Sequence, residues 1–308
     1  MKNLILKYSV TFPAILFAAG LLTFSTMQSV AQEEPTEQEE ADDSGMRPTR
    51  DHFESSWIID NQTTLLKQKG TFEFMIQHRF GSVSNGLTDL YGLYAPSNIR
   101  LGFNYTLLDS FGFGIFKGPL AIGFGTTKDN RIQDFNLKYA LLRQTRNGKI
   151  PVSVTYYVNT GLETGKKLDD LPNGNYSDRL SYFHQIIISR RFGSKLSLQV
   201  APSVSHYNVV EPLMYNDHFA VAVSGRFKVT SSMAVIVNAD QPLTKHKLYN
   251  PQPNVGFGIE MATSSHSFQI FATNYTSIVQ QRNNVYNQND PWNKGYVIGF
   301  NINRLWNF

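Results

Sequence analysis

Nine residues hold most of the charge and amide chemistry that this chain could gather on one side of an alternating structure. They are Glu73, Gln77, Arg79, Arg100, Asp134, Lys138, Arg226, Asp240 and Glu260. Each stands in the polar register of a stretch whose other register is apolar. In "TFEFMIQHRF", Phe72, Phe74, Ile76, His78 and Phe80 alternate with Glu73, Met75, Gln77 and Arg79. Turned toward one enclosed space, such fixed charges can line a narrow aqueous path and select solutes by sign. The same groups can instead pair across that space and merely fill it, as side chains do in small barrels.

Other chemistries find less support. The chain has no cysteine, which removes disulfides, thiolate metal sites and cysteine nucleophiles together. Its seven histidines are scattered, with no H-E-x-x-H or H-x-x-x-H pair, so neither a metal nor a cofactor is expected. "SVSHYN" (203–208) and "NDHF" (216–219) bring Ser, His, Asn and Asp types toward neighbouring strand ends. His206 and His218 there are the candidates for a lipid-acting hydrolase. Ordinary polar residues at a rim explain the same pattern.

The elements that must position these residues are read from periodicity. From residue 70 onward, apolar and polar residues alternate with period two in segments of about ten residues, which predicts β-strands with unlike faces. About twelve segments are counted. The stretch 179–192 is apolar on both faces and has no assignable phase, and Pro202 predicts a bulge inside its strand. Short connections such as "TRNGK" and "TSS" alternate with long, Asn-rich ones, as in outer-membrane barrels. No apolar run after the first residues approaches the length of a membrane helix. Within a bilayer the backbone must be paired internally, which leaves a closed barrel. The expected fold is all-β: a single antiparallel up-and-down transmembrane β-barrel of about twelve strands.

Three regions follow. Residues 1–31 read as a cleaved signal peptide, with Lys2 and Lys7, an apolar run and Ser29-Val30-Ala31 before the cut. Residues 32–56 carry nine acids against two arginines and read as an acidic disordered arm. Residues 57–308 form the barrel, with 24 Lys/Arg against 15 Asp/Glu, an excess of +9 that suits a small anionic solute or anionic lipid. "ESSWIIDNQTTLL" (54–66) is either a plug folded into the barrel mouth or a lead-in to the first strand, and the lead-in is the expected form.

The stretches "TFEFMIQHRFG", "LYGLYAPSNIRLGFNY", "DRLSYFHQIIISRRF", "NDHFAVAVSGRFKVT" and "IGFNINRLWNF" resemble an uncharacterised outer-membrane β-barrel family, domain of unknown function 5777. The resemblance runs from about Phe53 to Phe308 and departs at "SFGFGIFKGPL" (110–120), which looks like an insertion. It implies the outer membrane of a Gram-negative cell and supplies no activity.

The expected function is an integral outer-membrane barrel acting as a narrow pore or small-solute transport barrel with a charged lumen. The alternative is a non-conducting anchor or scaffold using loops 163–178 and 277–293, and a lipid-acting enzyme comes third. Expected partners are outer-membrane lipid and the barrel-assembly machinery, which would read Phe300, Trp306 and the terminal Phe308 as an assembly signal. No nucleic acid is expected, and no protein partner is identified.

Overall fold

The computed structural model describes residues 47–293 and 295–308. Residues 1–31, expected as a signal peptide, and residues 32–46 of the expected arm lie outside the described residues. A two-stranded hairpin comes first, β1 (Trp57–Ile58) and β2 (Asn61–Gln62). Twelve longer strands follow: β3 (Thr71–Ser82), β4 (Asn98–Phe111), β5 (Gly118–Thr127), β6 (Ile132–Leu142), β7 (Ser153–Glu163), β8 (Leu180–Phe192), β9 (Leu196–Tyr207), β10 (Asp217–Lys228), β11 (Met233–Pro242), β12 (Asn254–Ala262), β13 (His266–Thr273) and β14 (Val297–Asn307). A short helix, α1 (Gln280–Tyr286), lies between β13 and β14. No helix among the described residues is long and apolar enough to cross a membrane.

Strands β3 to β14 pair in chain order, each antiparallel to the next, and β14 closes on β3 from Asn307↔Thr71 to Val297↔Ser82. Closure leaves no unpaired edge, which would otherwise be an unsatisfied row of N–H and C=O groups. The seam is fixed at its end: the Phe308 N–H donates to the Gly70 carbonyl at 3.2 Å. Gly70 sits at φ +83°, and a Cβ there would stand 2.6 Å from the Phe308 carbonyl oxygen. Both reasons demand glycine at this joint.

The predicted alternation is the observed one. In β3, residues 71, 73, 75, 77 and 79 are buried and their neighbours half-exposed. The register of 179–192 is also settled: Ser181, Phe183, Gln185, Ile187 and Ser189 face inward. Two apolar inward residues, Phe183 and Ile187, pack with Tyr157, Ala201 and Ala222 on the lumen wall. This apolar patch inside the barrel is why the segment is apolar on both faces. Pro202 makes no bulge. The β8–β9 register is constant from Gln185↔Ser203 to Ile188↔Val200, with the rungs beside Pro202 missing and no extra residue inserted.

The connections sort by end. The long ones, 83–97, 164–179, 208–216, 243–253 and 274–296, share one end of the barrel with the short 128–131 link. The opposite end carries the tight turns and Phe308. These are called the loop end and the turn end below.

Candidate functional site

A twelve-stranded barrel is wider than side chains alone can fill, since about eight strands already reach that limit. Here the space is taken by the chain's own N-terminal segment. Residues 47–52 dock at the turn end: the Thr49 N–H donates to the Gln144 carbonyl at 2.8 Å, and Pro48 bridges Thr145. His52 Nδ1 shares a 2.7 Å hydrogen bond with Ser189 Oγ. The chain then rises into the lumen, reverses at Ile59–Asp60 and returns to β3. Phe53, Trp57, Ile58, Ile59, Asp60, Asn61, Gln62 and Thr63 are all buried. Residues 54–66 are therefore a plug and not the lead-in that composition suggests. Residues 47–56 belong with it as packed chain, where the charge pattern predicts the end of a solvated arm.

The tip of this hairpin is strained. Ile59 lies at φ +56° in a two-residue loop, the left-handed position that usually takes glycine. Wall side chains hold it there. Gln269 Oε1 accepts from the Ile59 N–H at 3.1 Å. The Ile59 carbonyl accepts from Arg79 Nη2 at 3.2 Å and from Asn301 Nδ2 at 2.7 Å. Its side chain joins Phe53, Ile58, Ile236, Phe271 and Tyr275 in an apolar cluster. Further down, Gln269 Nε2 donates to the Trp57 carbonyl at 2.9 Å and Gln199 Nε2 to the Gln62 carbonyl at 2.8 Å.

The nine residues singled out by alternation all face this interior and all are buried. Arg100 makes a bidentate pair with Asp134, at 2.8 and 2.7 Å, and donates to Gln77 at 2.9 Å. Its guanidinium lies over the Trp57 ring at 5.3 Å. Gly125 makes room for it, because a Cβ there would stand 2.2 Å from Arg100 Nη2. Arg226 pairs with Glu260 at 2.6 Å. Glu73 accepts from Ser56 Oγ at 2.6 Å and from Asn303 Nδ2 at 2.7 Å. Asp240 accepts from Asn61 at 2.6 Å, and Lys138 donates to Gln62 Oε1 at 3.2 Å. Arg79 stands 4.0 Å from Asp60. Five of these contacts, at Glu73, Asp240, Lys138, Arg79 and the Arg100 guanidinium over Trp57, end on the plug.

From the loop end, α1 descends to meet the hairpin. Asn283 Nδ2 donates to Asp60 Oδ2 at 2.7 Å, and Gln280 Nε2 to Asn61 Oδ1 at 3.3 Å. Gln281 reaches Asn159 at 2.9 Å, and Arg282 pairs with Glu163 at 3.0 Å. The loop 277–293, expected as an outer contact surface, is thus buried over most of α1. The void left between Trp57, Arg100, Tyr157 and Gln280 is ≈ 10 Å³. That is at the lower limit for a single water. At the turn end a larger, open cavity of ≈ 330 Å³ lies outside the plug, bordered by Lys67, Asp109, Arg143 and Asn307.

The interior carries four cationic side chains against five carboxylates. Among buried side chains, Arg79, Arg100, Lys138 and Arg226 face Asp60, Glu73, Asp134, Asp240 and Glu260. The excess of lysine and arginine in the barrel sequence is therefore not in the lumen. The hydrolase candidates do not assemble. His206 pairs with Asp217 at 2.7 Å on the outer face, while Ser203, Ser205 and His218 are buried on the inner one. No group of three or more metal-ligating side chains occurs among the described residues.

Of the assembly candidates, Phe300 stacks on His78, with ring centroids 5.0 Å apart. Trp306 packs against Phe72 at 5.8 Å, and Phe308 is 87% exposed at the turn end. The Arg304 guanidinium lies 4.8 Å over the Trp306 ring, close to the end of the strand where an outward charge costs little.

No curated protein matches the chain. Solved structures to which the chain is similar include the following three. The NanC porin is 10% identical with a TM-score of 0.45, over 77% of this chain and 99% of that one. The KdgM porin is 5% identical with a TM-score of 0.44, over 77% and 99%. An outer membrane channel from Pseudomonas putida F1 is 11% identical with a TM-score of 0.44, over 79% and 97%. Likeness at this level assigns no activity. The family described as membrane bound beta barrel domain (DUF5777) matches residues 53–306, and this chain belongs to it.

Proposed function

We infer that the protein is an outer-membrane barrel that provides a gated path for small solutes, closed in the state described. One observation carries this reading. The occluding hairpin β1–β2 forms its own two-stranded sheet and shares no ladder with the barrel. Its hydrogen bonds to the wall run through side chains such as Gln269, Arg79, Asn301 and Gln199. Both ends of the plug also lie at the turn end. It can withdraw toward that side, the periplasmic one in this class of barrel, without unpairing a single strand.

Withdrawal would leave a lined bore. Twelve strands spaced about 4.8 Å apart and tilted about 40° give a backbone radius of about 12 Å. Subtracting inward side chains leaves a bore of about 6 Å radius. Wall pairs such as Arg100–Asp134 would stay in place. A small anionic solute remains the candidate cargo on the strength of the basic body alone. The test is planar-bilayer recording of the full chain beside a variant lacking residues 47–66. The full chain is expected to be mostly closed and the shortened one to conduct in steps. A shortened barrel that keeps its heat-modifiable gel mobility and never conducts rejects the reading.

A second reading, a non-conducting anchor, is favoured by α1, which is held at the loop end by wall contacts of its own, Gln281–Asn159 and Arg282–Glu163, besides those to the plug. Its prediction is silence from both proteins, with the exposed loop 163–178 as the contact surface.

A further inference from the structure

The β4–β5 connection differs from every other turn at its end of the barrel. β4 runs to Phe111, beyond its last contact with β3 near Thr106, and β5 begins at Gly118. Only Leu108↔Leu120 and Phe111↔Gly118 pair within this extension. Residues 107–117 thus extend past the end of β3, with β5 and β6 alongside on the other flank. Their side chains are not those of a water-facing turn: Phe113 is 82% exposed, Ile115 60%, Phe111 46% and Phe116 44%. The other turns at this end read "TRNGK", "GS", "TSS" and "SSH".

The hairpin has a fixed direction. Tyr139, on the outward register of β6, donates through its hydroxyl to the carbonyls of Phe111 and Phe116. Its ring meets Phe111 edge-on, with centroids 5.1 Å apart. Gly112, at φ +86°, allows the approach, since a Cβ there would stand 2.1 Å from the Tyr139 hydroxyl. The chain is therefore bent toward the outside of the barrel and away from the lumen. Past Asp109 and Ser110, its apolar surface continues through Leu107 and Leu108 into the outward face of β4 and β5, where Leu101, Phe103 and Ile122 are exposed.

We propose that residues 107–117 form a membrane-embedded flap that inserts Phe113, Ile115 and Phe116 into the bilayer at the turn end. The occupant of this surface is lipid, because the surface continues a wall that lipid already covers. Exposed apolar patches mark protein- or membrane-interaction sites, and continuity with the outward face of the barrel favours lipid here. Lys117, exposed at the foot of the hairpin, is placed to reach lipid phosphates while the aromatics lie deeper. A soluble protein partner at the same surface is the alternative that the test must separate.

The lack of native cysteine makes the test direct. F113C and, at a neighbouring turn of the same end, K149C are each labelled with an environment-sensitive fluorophore. Each is reconstituted in phosphatidylcholine vesicles with iodide on both sides, or with lipids spin-labelled near the glycerol. Heat-modifiable gel mobility confirms that both barrels are folded. The label at 113 is expected to emit to the blue of the label at 149, to be quenched several-fold more by the spin-labelled lipid, and to be shielded from iodide. Equal iodide quenching at the two positions, with no effect of the spin-labelled lipid at 113, places the flap in water and overturns the proposal. The outcome is independent of whether the barrel conducts.

Discussion

The strained tip of the plug offers a prediction in which two neighbouring isoleucines behave differently. Ile58 and Ile59 are 1% and 0% exposed and share one apolar cluster. Replacing either with glycine removes the same buried side chain, a loss of about 2–5 kcal/mol or somewhat more to the plugged state. The backbone term separates them. Ile59 is held at φ +56°, which costs an L-residue about 1–2 kcal/mol and glycine almost nothing. Ile58 is in a strand conformation and regains nothing. The entropy that glycine adds to the released segment is common to both and cancels.

Ile59→Gly should therefore loosen the plug less than Ile58→Gly by about 1–2 kcal/mol, a factor of about 5–30 in the ratio of released to seated plug. Hydrogen exchange of amides 54–63 reads that ratio in the folded protein, and open probability in single-channel recording reads it again if the plug is the gate. Since the hairpin shares no ladder with the wall, strand pairing of the barrel should be retained in both variants, read as unchanged heat-modifiable gel mobility. Equal exchange rates in the two variants, or faster exchange in Ile59→Gly, would refute the argument that the tip stores left-handed strain.

Three further outcomes are expected. Asp134→Asn leaves the Arg100 guanidinium buried without its bidentate carboxylate, and should lower unfolding stability by about 3–5 kcal/mol, read from urea midpoints in detergent. Removing both charges, as Arg100→Met with Asp134→Leu, should cost less than the sum of the single changes. His52 is held down to about 4 from an ordinary 6.5, first by burial and then by the Arg191 charge. Protonation thus favours the undocked segment, so docking of residues 47–53 is fully present above pH 6.5 and is lost toward pH 4, by at most about tenfold per pH unit. Limited proteolysis across that range reads it, and His52→Gln should flatten the profile. Deleting Phe308 removes the Gly70 closure contact and the exposed terminal ring. Membrane assembly in cells should fall while the purified chain still folds in detergent; normal assembly would contradict a signal role.

The barrel wall was legible because each strand separates two environments. Phe72, Phe74 and Ile76 face outward while Glu73, Met75 and Gln77 face the lumen, and that contrast is what period two records. The nine interior residues followed from the same contrast. What fills the lumen left no such trace. Asp60, Asn61 and Gln62 are as buried as Ile58 and Ile59, so the hairpin has no wet face to set against a dry one. In α1, Gln280, Gln281, Asn283 and Asn284 are buried, and a helix enclosed by amides shows no apolar stripe. Its sequence reads as a polar loop because its surroundings are polar.

That difference bears on mechanism. An apolar core excludes water, and its parts separate only with the exposure of apolar surface. The plug meets the wall mainly through Gln, Asn, Ser, Lys and Arg side chains, each of which water can satisfy about as well as the hairpin does. The apolar part of the contact falls into two separate clusters, Phe53, Ile58 and Ile59 against Ile236, Phe271 and Tyr275, and Leu66 against Ala121 and Ala140. A segment meant only to fill space would gain from extending that contact along its length. Here it is broken into two patches, with a strained tip and an entry point where His52 is buried against Ser189. Such a contact is closed at rest and has a low cost of rehydration, which is the energetic profile of a gate more than of a filler.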